Sequence, residues 1–207
     1  MEKLNTFKKV VLGNQITWDK GELFIWNVPC LITPTYTYIN LIHRFKQKCP
    51  ETNSILFQIG KEQAALAVEY AVKKFGVKNK PQIINFVLGQ SSLLGYGLYR
   101  IINLNLKEGK AIFKCGNNPF AKYYKVLYGT QKDPVDYYIG GTLVGILEAT
   151  TNEKWSVIET GCMSLGKPYC SFELNRLKNQ KGPNSSGKRM GELEKERKIY
   201  SSPKPIS

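Results

Sequence analysis

The sequence predicts one mixed α/β (α+β) domain, on the evidence of its apolar content and of two kinds of periodicity. Its 207 residues are 42% hydrophobic and 12% aromatic, which is enough apolar material for one sizeable core. Stretches rich in β-forming residues, joined by turns that contain glycine, indicate antiparallel hairpins. Other segments carry apolar residues every three or four positions and indicate amphipathic helices.

The predicted elements follow one another with short connections. Turn residues at Gly13-Asn14 and at Gly21 separate β-rich segments, and Pro50 and Gly76 end helical patterns. In chain order the prediction is three strands at 7–12, 15–18 and 22–28, helices at 34–48, 53–75 and 81–94, a hairpin of 95–106 with 110–115, a short helix at 119–127, a helix from Asp133, and a hairpin of 154–160 with 169–174.

Two helices carry more specific predictions. The helix after Asp133 contains Gly140, Gly141 and Gly145, and glycine lowers helix stability, so another backbone or a ligand is expected to approach closely there. The apolar stripe predicted to face the core on the long helix consists of Ile55, Ile59, Leu66 and Tyr70.

The composition of the chain changes after Leu177. Residues 178–187 contain almost nothing apolar and are rich in Gly, Asn, Ser and Lys, which is typical of a linker. We therefore predict a domain over residues 1–177 and a basic flexible tail over 178–207. The tail holds eight Lys or Arg against three Glu, and the whole chain has a formal net charge of +14. Such a charge favours anionic partners, so nucleic-acid association through the tail is one hypothesis, although no helix-turn-helix or RNP motif is present.

Hydropathy and cysteine usage predict a cytoplasmic protein. Residues 1–9 lack the apolar block of a signal peptide, and the longest apolar runs fall short of the roughly 20 residues that a membrane span requires. Five cysteines, an odd number, argue against a disulfide framework. In a reducing compartment, clustered cysteines are metal ligands or core residues.

The most informative stretch is the last predicted hairpin, which carries a glutamate and two cysteines. Strand alternation places Trp155, Val157 and Glu159 on one face, so a carboxylate follows two apolar side chains and needs a partner. Cys162 follows three residues later and Cys170 lies across the turn; with a fourth ligand the set suits tetrahedral zinc. Two other interpretations stay open, namely reduced core cysteines with Glu159 paired to a lysine, and a Cys162–Cys170 disulfide.

This stretch, E-T-G-C-M-S-L-G-K-P-Y-C-S-F-E from Glu159 to Glu173, resembles the signature of the 4-vinyl reductase domain family. The run P-V-D-Y-Y-I-G-G-T-L-V-G from Pro134 to Gly145 resembles the helix that precedes it in that family, which includes stand-alone archaeal and bacterial proteins and the sensor domains of aromatic-responsive regulators. The resemblance covers most of residues 1–177 in element order and is specific in the C-terminal third. It implies an antiparallel sheet packed against several helices, similar to subunits of a vesicle-tethering complex, and a homodimer.

The resemblance also implies a structural zinc ion. In the sensor branch the ligands are a cysteine on the glycine-containing helix, then Glu, Cys and Cys, and the last three fall on Glu159, Cys162 and Cys170. The first falls on Asp136, and aspartate also ligates zinc. The alternative is a purely local role for this residue, in a capping arrangement with Asp133 as the N-cap and a proline at the first helical position.

A small hydrophobic or aromatic ligand between sheet and helices is a further implication of the resemblance. Trp155 and Tyr137 neighbour the signature and are the predicted ligand contacts. The phenol-sensing members are expected to use a His and a Trp, and neither falls on the matching strands, so phenol itself is not expected. The single histidine, His43, lies in an earlier helix and is interpreted as an ordinary helix residue.

The function predicted from these observations is a sensor or carrier of a small hydrophobic molecule with a structural zinc site. The family name suggests an alternative, a tetrapyrrole vinyl reductase or an accessory protein to one. Reduction requires a hydride source, and the sequence contains no Gly-x-Gly-x-x-Gly after a strand, no P-loop and no evident acid–base pair. A binding domain is therefore favoured over a self-sufficient enzyme.

Overall fold

The computed structural model describes residues 16–19, 21–25 and 28–181, which fall into two compact units that meet in the chain at Pro34 and Thr35. The strand predicted at 7–12, and the predicted tail beyond residue 181, lie outside the described residues. Among the described helices, none combines the length and apolar character that crossing a membrane requires.

The smaller unit is a three-stranded antiparallel sheet of short strands. Its strands are β1 (Ile16–Asp19), β2 (Glu22–Ile25) and β3 (Val28–Cys30), in the order β1-β2-β3. Gly21 has a φ of 89° in the tight β1–β2 turn, a conformation that glycine adopts without steric cost. The strand predicted over 22–28 is thus two strands, β2 and β3, which pair with each other.

The larger unit combines a four-stranded antiparallel sheet with five helices. The sheet order is β4-β5-β7-β6. The elements are α1 (Thr35–Lys48), α2 (Thr52–Phe75), α3 (Lys80–Leu93), β4 (Leu98–Asn105), β5 (Lys110–Gly116), α4 (Pro119–Tyr128), α5 (Tyr137–Thr151), β6 (Glu153–Gly161) and β7 (Cys170–Lys181), with a 3-10 turn at Met163–Leu165 between the last two strands.

The core lies between one face of this sheet and α5. On β5 and β7, alternate residues point inward as cross-strand pairs: Phe113 is opposite Phe172, and Cys115 is opposite Cys170. Every residue of α5 from Tyr138 to Glu148 is buried, so this helix is enclosed on all sides. The buried helix fixes the position of the segment that precedes it against the edge of the sheet.

Close contact between α5 and α2 explains the glycines of α5. A Cβ atom on Gly141 would lie 2.0 Å from the Phe57 carbonyl oxygen, and one on Gly145 would lie 2.4 Å from the carbonyl oxygen of Lys61. The prediction that another backbone approaches this helix is therefore confirmed. Gly140 differs from its neighbours, because its Cβ would meet only the Val157 side chain at 3.5 Å.

The stripe predicted for α2 is wrong at its N-terminal end. Ile55 is 48% exposed and Ile59 is 41% exposed, whereas Leu56 and Ala64 are buried. The reason is Gly60, whose Cβ would lie 2.2 Å from the carbonyl oxygen of Tyr138. Small residues permit the closest helix contact, so the residues in line with Gly60 face the core and the large isoleucines do not.

The start of α5 also differs from the capping arrangement considered above. The helix begins at Tyr137, not near Pro134, and Asp136 is its N-cap residue. The Asp136 side chain makes no capping hydrogen bond. A carboxylate at an N-cap ordinarily accepts a backbone N–H, so this one is held by other contacts.

Candidate metal centre

Four donor side chains from different elements meet beside the start of α5. They are the carboxylates of Asp136 and Glu159 and the thiols of Cys162 and Cys170, and one ligand atom from each lies within 4.8 Å of the others. Asp136 and both cysteines are buried and Glu159 is half-buried. The structure therefore brings together all four residues that the sequence singled out as metal ligands.

A break in the β6–β7 pairing puts the hairpin donors on one side. Glu159 is opposite Phe172, but Gly161 is opposite Ser171, so one extra residue is accommodated in β6. In a regular strand, positions 159 and 162 would point to opposite faces. A bulge shifts the alternation by one residue and allows the carboxylate and the first thiol to point the same way.

Donor groups of the protein surround the two sulfurs. The Met163 backbone N–H donates to Cys170 Sγ at 3.4 Å, and the Asn118 Nδ2 amide donates to the same sulfur at 3.6 Å. The Ser164 hydroxyl lies 3.0 Å from Cys162 Sγ. Such donors stabilise thiolate more than thiol and orient the sulfur lone pairs.

The two carboxylates each keep one oxygen without a partner. Asp136 Oδ2 accepts from Asn118 Nδ2 at 2.8 Å, while Asp136 Oδ1 and Glu159 Oε1 are buried and have no hydrogen-bond partner within the described part of the chain. A buried polar atom without a partner is costly. A cation among the four donors would supply both missing partners, and two sulfurs with two carboxylate oxygens form an acceptable tetrahedral zinc set. The residues present therefore fit a zinc ion.

The protonation of the cluster gives the same indication. Burial, followed by the nearby Cys162, raises the pKa of Asp136 to about 7, and burial with the charge of Asp136 raises the pKa of Glu159 to about 11. The hydrogen bond from Cys170, with help from Ser164, lowers the pKa of Cys162 to about 5, and the pKa of Cys170 is raised as the partner that donates. Without a cation the cluster retains protons, since four buried negative charges repel one another.

A lysine of α1 places positive charge next to the cluster. Lys46 Nζ lies 5.2 Å from the ring centroid of Tyr137 and 5.4 Å from that of Tyr124. Burial lowers the Lys46 pKa, while the negative charges of Asp136 and Cys162 act in the opposite direction. The sequence analysis assigned Lys46 only to a helix end, because nothing local to α1 indicates that it faces residues some ninety positions later.

Asn118 is a second residue that the sequence analysis missed. It is fully buried and is the N-cap of α4, and its Oδ1 accepts from the backbone N–H groups of Phe120 and Ala121 at 3.0 and 3.4 Å. The local signal was present in G-N-N-P, because asparagine before proline is typical of a helix start. That signal predicts the cap and not the metal-side hydrogen bonds.

The two predicted ligand contacts lie at opposite ends of α5. Tyr137 opens the helix and is half-buried beside Lys46. Trp155 is buried near the C-terminal end, where its Nε1 donates to Thr151 Oγ1 at 3.0 Å and its backbone N–H donates to Glu148 Oε1 at 3.2 Å. The fifteen residues of α5 span about 22 Å, so one small molecule does not touch both. Their role in ligand binding stays a prediction.

An aromatic cluster lies beside the metal centre. The rings of Tyr38, Tyr96, Phe120 and Tyr138 contact one another with centroid separations between 5.2 and 5.8 Å. His43 lies in a separate group, stacked on Tyr128 at 3.6 Å. We call the first four residues the aromatic cluster; Phe120 and Tyr138 each follow a residue of the metal centre by two positions.

Tyr99 presents a polar atom to this interior. It is opposite Cys115 on the neighbouring strand, which in turn is opposite Cys170. Its hydroxyl is buried and, among the residues that the structure describes, has no hydrogen-bond partner. Burial and the nearby Cys115, Asp136 and Tyr138 raise its pKa. The phenol therefore lies between the metal centre and the aromatic cluster with its hydrogen-bonding capacity unused.

Comparison with known sequences identifies the family of the C-terminal third. The family model of the 4-vinyl reductase domain matches residues 113–176, which include all four donors. An uncharacterised protein of Methanocaldococcus jannaschii is 37% identical over 51 residues, which make up 25% of this chain and 32% of that protein. The chain thus spans about a third of the length of that relative.

Comparison with solved structures confirms the predicted fold. The phenol-responsive sensory domain of the transcription activator PoxR, solved with phenol, is 13% identical with a TM-score of 0.72, over 98% of this chain and 97% of that one. Subunit 3 of the trafficking protein particle complex from Naegleria fowleri, covalently bound to palmitic acid, is 13% identical with a TM-score of 0.50, over 71% of this chain and 95% of that one. Both likenesses show an antiparallel sheet packed against helices.

Proposed function

We propose, because residues 113–176 belong to the 4-vinyl reductase domain family, that this chain is a sensor or carrier domain for a small hydrophobic or aromatic molecule, with a structural zinc ion beside the ligand. The observation that carries the proposal is the pair of unpartnered carboxylate oxygens on Asp136 and Glu159, in one cluster with two sulfurs. Closed coordination by four protein ligands stabilises a fold and leaves no open position for catalysis.

The metal would connect three parts of the larger unit. Asp136 caps α5, Glu159 and Cys162 lie at the end of β6, and Cys170 opens β7. Zinc bound by all four residues would hold the central helix to the hairpin edge of the sheet, so part of its binding energy would become folding energy.

The ligand part of the proposal is supported by the aromatic cluster and Tyr99. Apolar ligand sites combine aromatic walls with a few polar atoms that fix orientation. The buried Tyr99 hydroxyl without a partner is such an atom, and a ligand hydroxyl, carbonyl or carboxylate would satisfy it. The PoxR sensory domain was solved with phenol, and an aromatic compound that carries a polar group is the class we propose for this chain.

Elemental analysis and native mass spectrometry of the untagged protein test both parts. We expect about one zinc per chain, together with added mass from a co-purified apolar compound. Cys162→Ser should lose the metal, whereas Cys49→Ser, which changes a half-buried cysteine outside the cluster, should retain it. Wild-type protein without metal after incubation with zinc would refute the metal proposal. The predicted homodimer and cytoplasmic location stay predictions.

A further inference from the structure

We propose that Asn118 is the positioning residue of the metal centre and the link between that centre and α4. The inference rests on the proposed metal site and adds a residue that belongs to no ligand set. It starts from a geometric fact: one side chain both caps a helix and donates hydrogen bonds to two of the four donors, Asp136 and Cys170.

The hydrogen bonds of Asn118 fix the orientation of its amide group. Its Oδ1 accepts from the N–H groups of Phe120 and Ala121, so its Nδ2 points away from α4. That Nδ2 donates to Asp136 Oδ2 at 2.8 Å and to Cys170 Sγ at 3.6 Å. Rotating the amide by half a turn would set N–H groups against N–H groups and lose all four contacts.

The backbone around Asn118 is equally constrained. Asn117 has a φ of 50°, in the left-handed region that asparagine tolerates, and Pro119 occupies the first turn of α4. A Cβ on Gly97 would lie 3.2 Å from the Asn118 Cα atom. The turn that carries Asn118 is therefore held from both sides, and the amide reaches the cluster from a fixed point.

Two consequences follow for the metal centre. Because Asn118 occupies Asp136 Oδ2, the other oxygen of that carboxylate remains free to bind a cation. The N–H donated to Cys170 stabilises negative charge on a sulfur that must lose its proton to bind metal. Partners of this kind set the geometry of the ligands without binding the metal.

The same residue ties the metal centre to the aromatic cluster. Phe120, whose N–H is capped by Asn118, packs against Tyr38 at 5.2 Å and Tyr138 at 5.6 Å. A shift of Asp136 or Cys170 on metal loading would be transmitted through one rigid amide to the first turn of α4 and to the rings that it carries.

A titration of the full chain with Co²⁺ tests the inference, because the visible bands of Co²⁺ report the coordination geometry. Asn118→Ser keeps a capping oxygen and removes both N–H donors. We expect Co²⁺ to bind this variant about 10- to 100-fold more weakly than wild type, with altered band positions. The matched control is Asn79→Ser at the N-cap of α3, where the side chain accepts from the Gln82 N–H and which lies outside the metal cluster. It should titrate like wild type.

A second variant keeps the test decisive if Asn118→Ser fails to fold. Asn118→Asp preserves the size and the capping oxygen but removes the donors. Its extra negative charge alone would strengthen cation binding, so weaker Co²⁺ binding by this variant must come from the lost hydrogen bonds. Wild-type affinity and bands in either folded variant, or tighter binding by Asn118→Asp, would overturn the inference. Failure of wild type itself to bind Co²⁺ or zinc would instead remove the proposed function.

Discussion

Asp136 Oδ2 lies 3.7 Å from Cys162 Sγ, although the two residues are 26 positions apart in the chain. The aspartate occupies the N-cap position of α5 and yet makes no capping hydrogen bond. Its carboxylate is directed to the cluster, close to a thiol whose pKa is lowered to about 5. A buried carboxyl beside an acidic thiol predicts that the stability of the larger unit depends on pH and on metal together.

Without metal, the domain should lose stability as the pH rises from about 5 towards 7. Burial raises the pKa of Asp136 from 3.8 to about 7 and that of Glu159 from 4.5 to about 11, so the folded state retains two protons that the unfolded chain has released. The lowered pKa of Cys162 has the opposite sign, but it is one group against two. Zinc should reverse the trend, because it displaces protons and binds more tightly as the pH rises.

Thermal melting at several pH values, with chelator or with zinc, measures this prediction. We expect the melting temperature in chelator to be highest near pH 5 and the increase on adding zinc to be largest near pH 8. Asp136→Asn should flatten the chelator profile, because it removes one of the two protons concerned. A chelator profile that rises from pH 5 to 7 would contradict the protonation assigned to the two carboxyls.

Lys46→Gln should weaken zinc binding about two- to tenfold, since it removes a half-buried positive charge beside a cluster of anions. Lys46→Arg should restore most of the affinity. The control is Lys48→Gln, which removes the same charge from an exposed position on the same helix. Competition with a chelator of known affinity measures the effect at low and high salt. Equal losses from the two glutamine variants would mean that only the overall charge of the chain matters.

Two tyrosines predict opposite responses to the loss of a hydroxyl. Tyr138 donates to Gln63 Oε1 in a nearly buried setting, so Tyr138→Phe should lower the free energy of unfolding by about 1 kcal/mol. Tyr99→Phe removes a buried hydroxyl without a partner among the described residues and should leave the ligand-free domain as stable as wild type or more so.

Denaturant unfolding measures both variants, and native mass spectrometry measures the retention of any co-purified compound. Tyr99→Phe should retain less of a compound that carries a polar group, because it removes the proposed hydrogen bond to that group. Unchanged retention together with a destabilised fold would assign the Tyr99 hydroxyl a structural role instead.

Adjacent glycines of α5 provide a matched pair for the helix contact. Gly141→Ala would place a methyl group 2.0 Å from the Phe57 carbonyl oxygen, and the two helices would have to separate, at a cost of about 3 kcal/mol or more. Gly140→Ala meets only a side chain at 3.5 Å and should be neutral, or stabilising by about 0.5–1 kcal/mol. Denaturant unfolding of both variants checks the difference, and similar values would show that the α2–α5 contact is not what requires glycine.

The sequence by itself determined most of the elements and the grouping of Glu159, Cys162 and Cys170. Helical periodicity, glycine turns and strand alternation arise from neighbouring residues, so they can be read without knowing the rest of the chain. A hairpin also brings its own two ends together. The close approach predicted at Gly141 and Gly145 was confirmed for the same reason, since glycine inside a helix has few other physical explanations.

Tertiary structure alone decided which face of α2 is buried, where α5 begins and what surrounds the metal centre. The contact at Gly60 sets the buried face by allowing two backbones to approach, and size alone pointed to Ile55 and Ile59 instead. Asp136 and Asn118 each have a satisfactory local explanation as helix caps. Only the packing of α4 and α5 against the β6–β7 hairpin turns their polar atoms towards one another, because those contacts join residues that are distant in the chain.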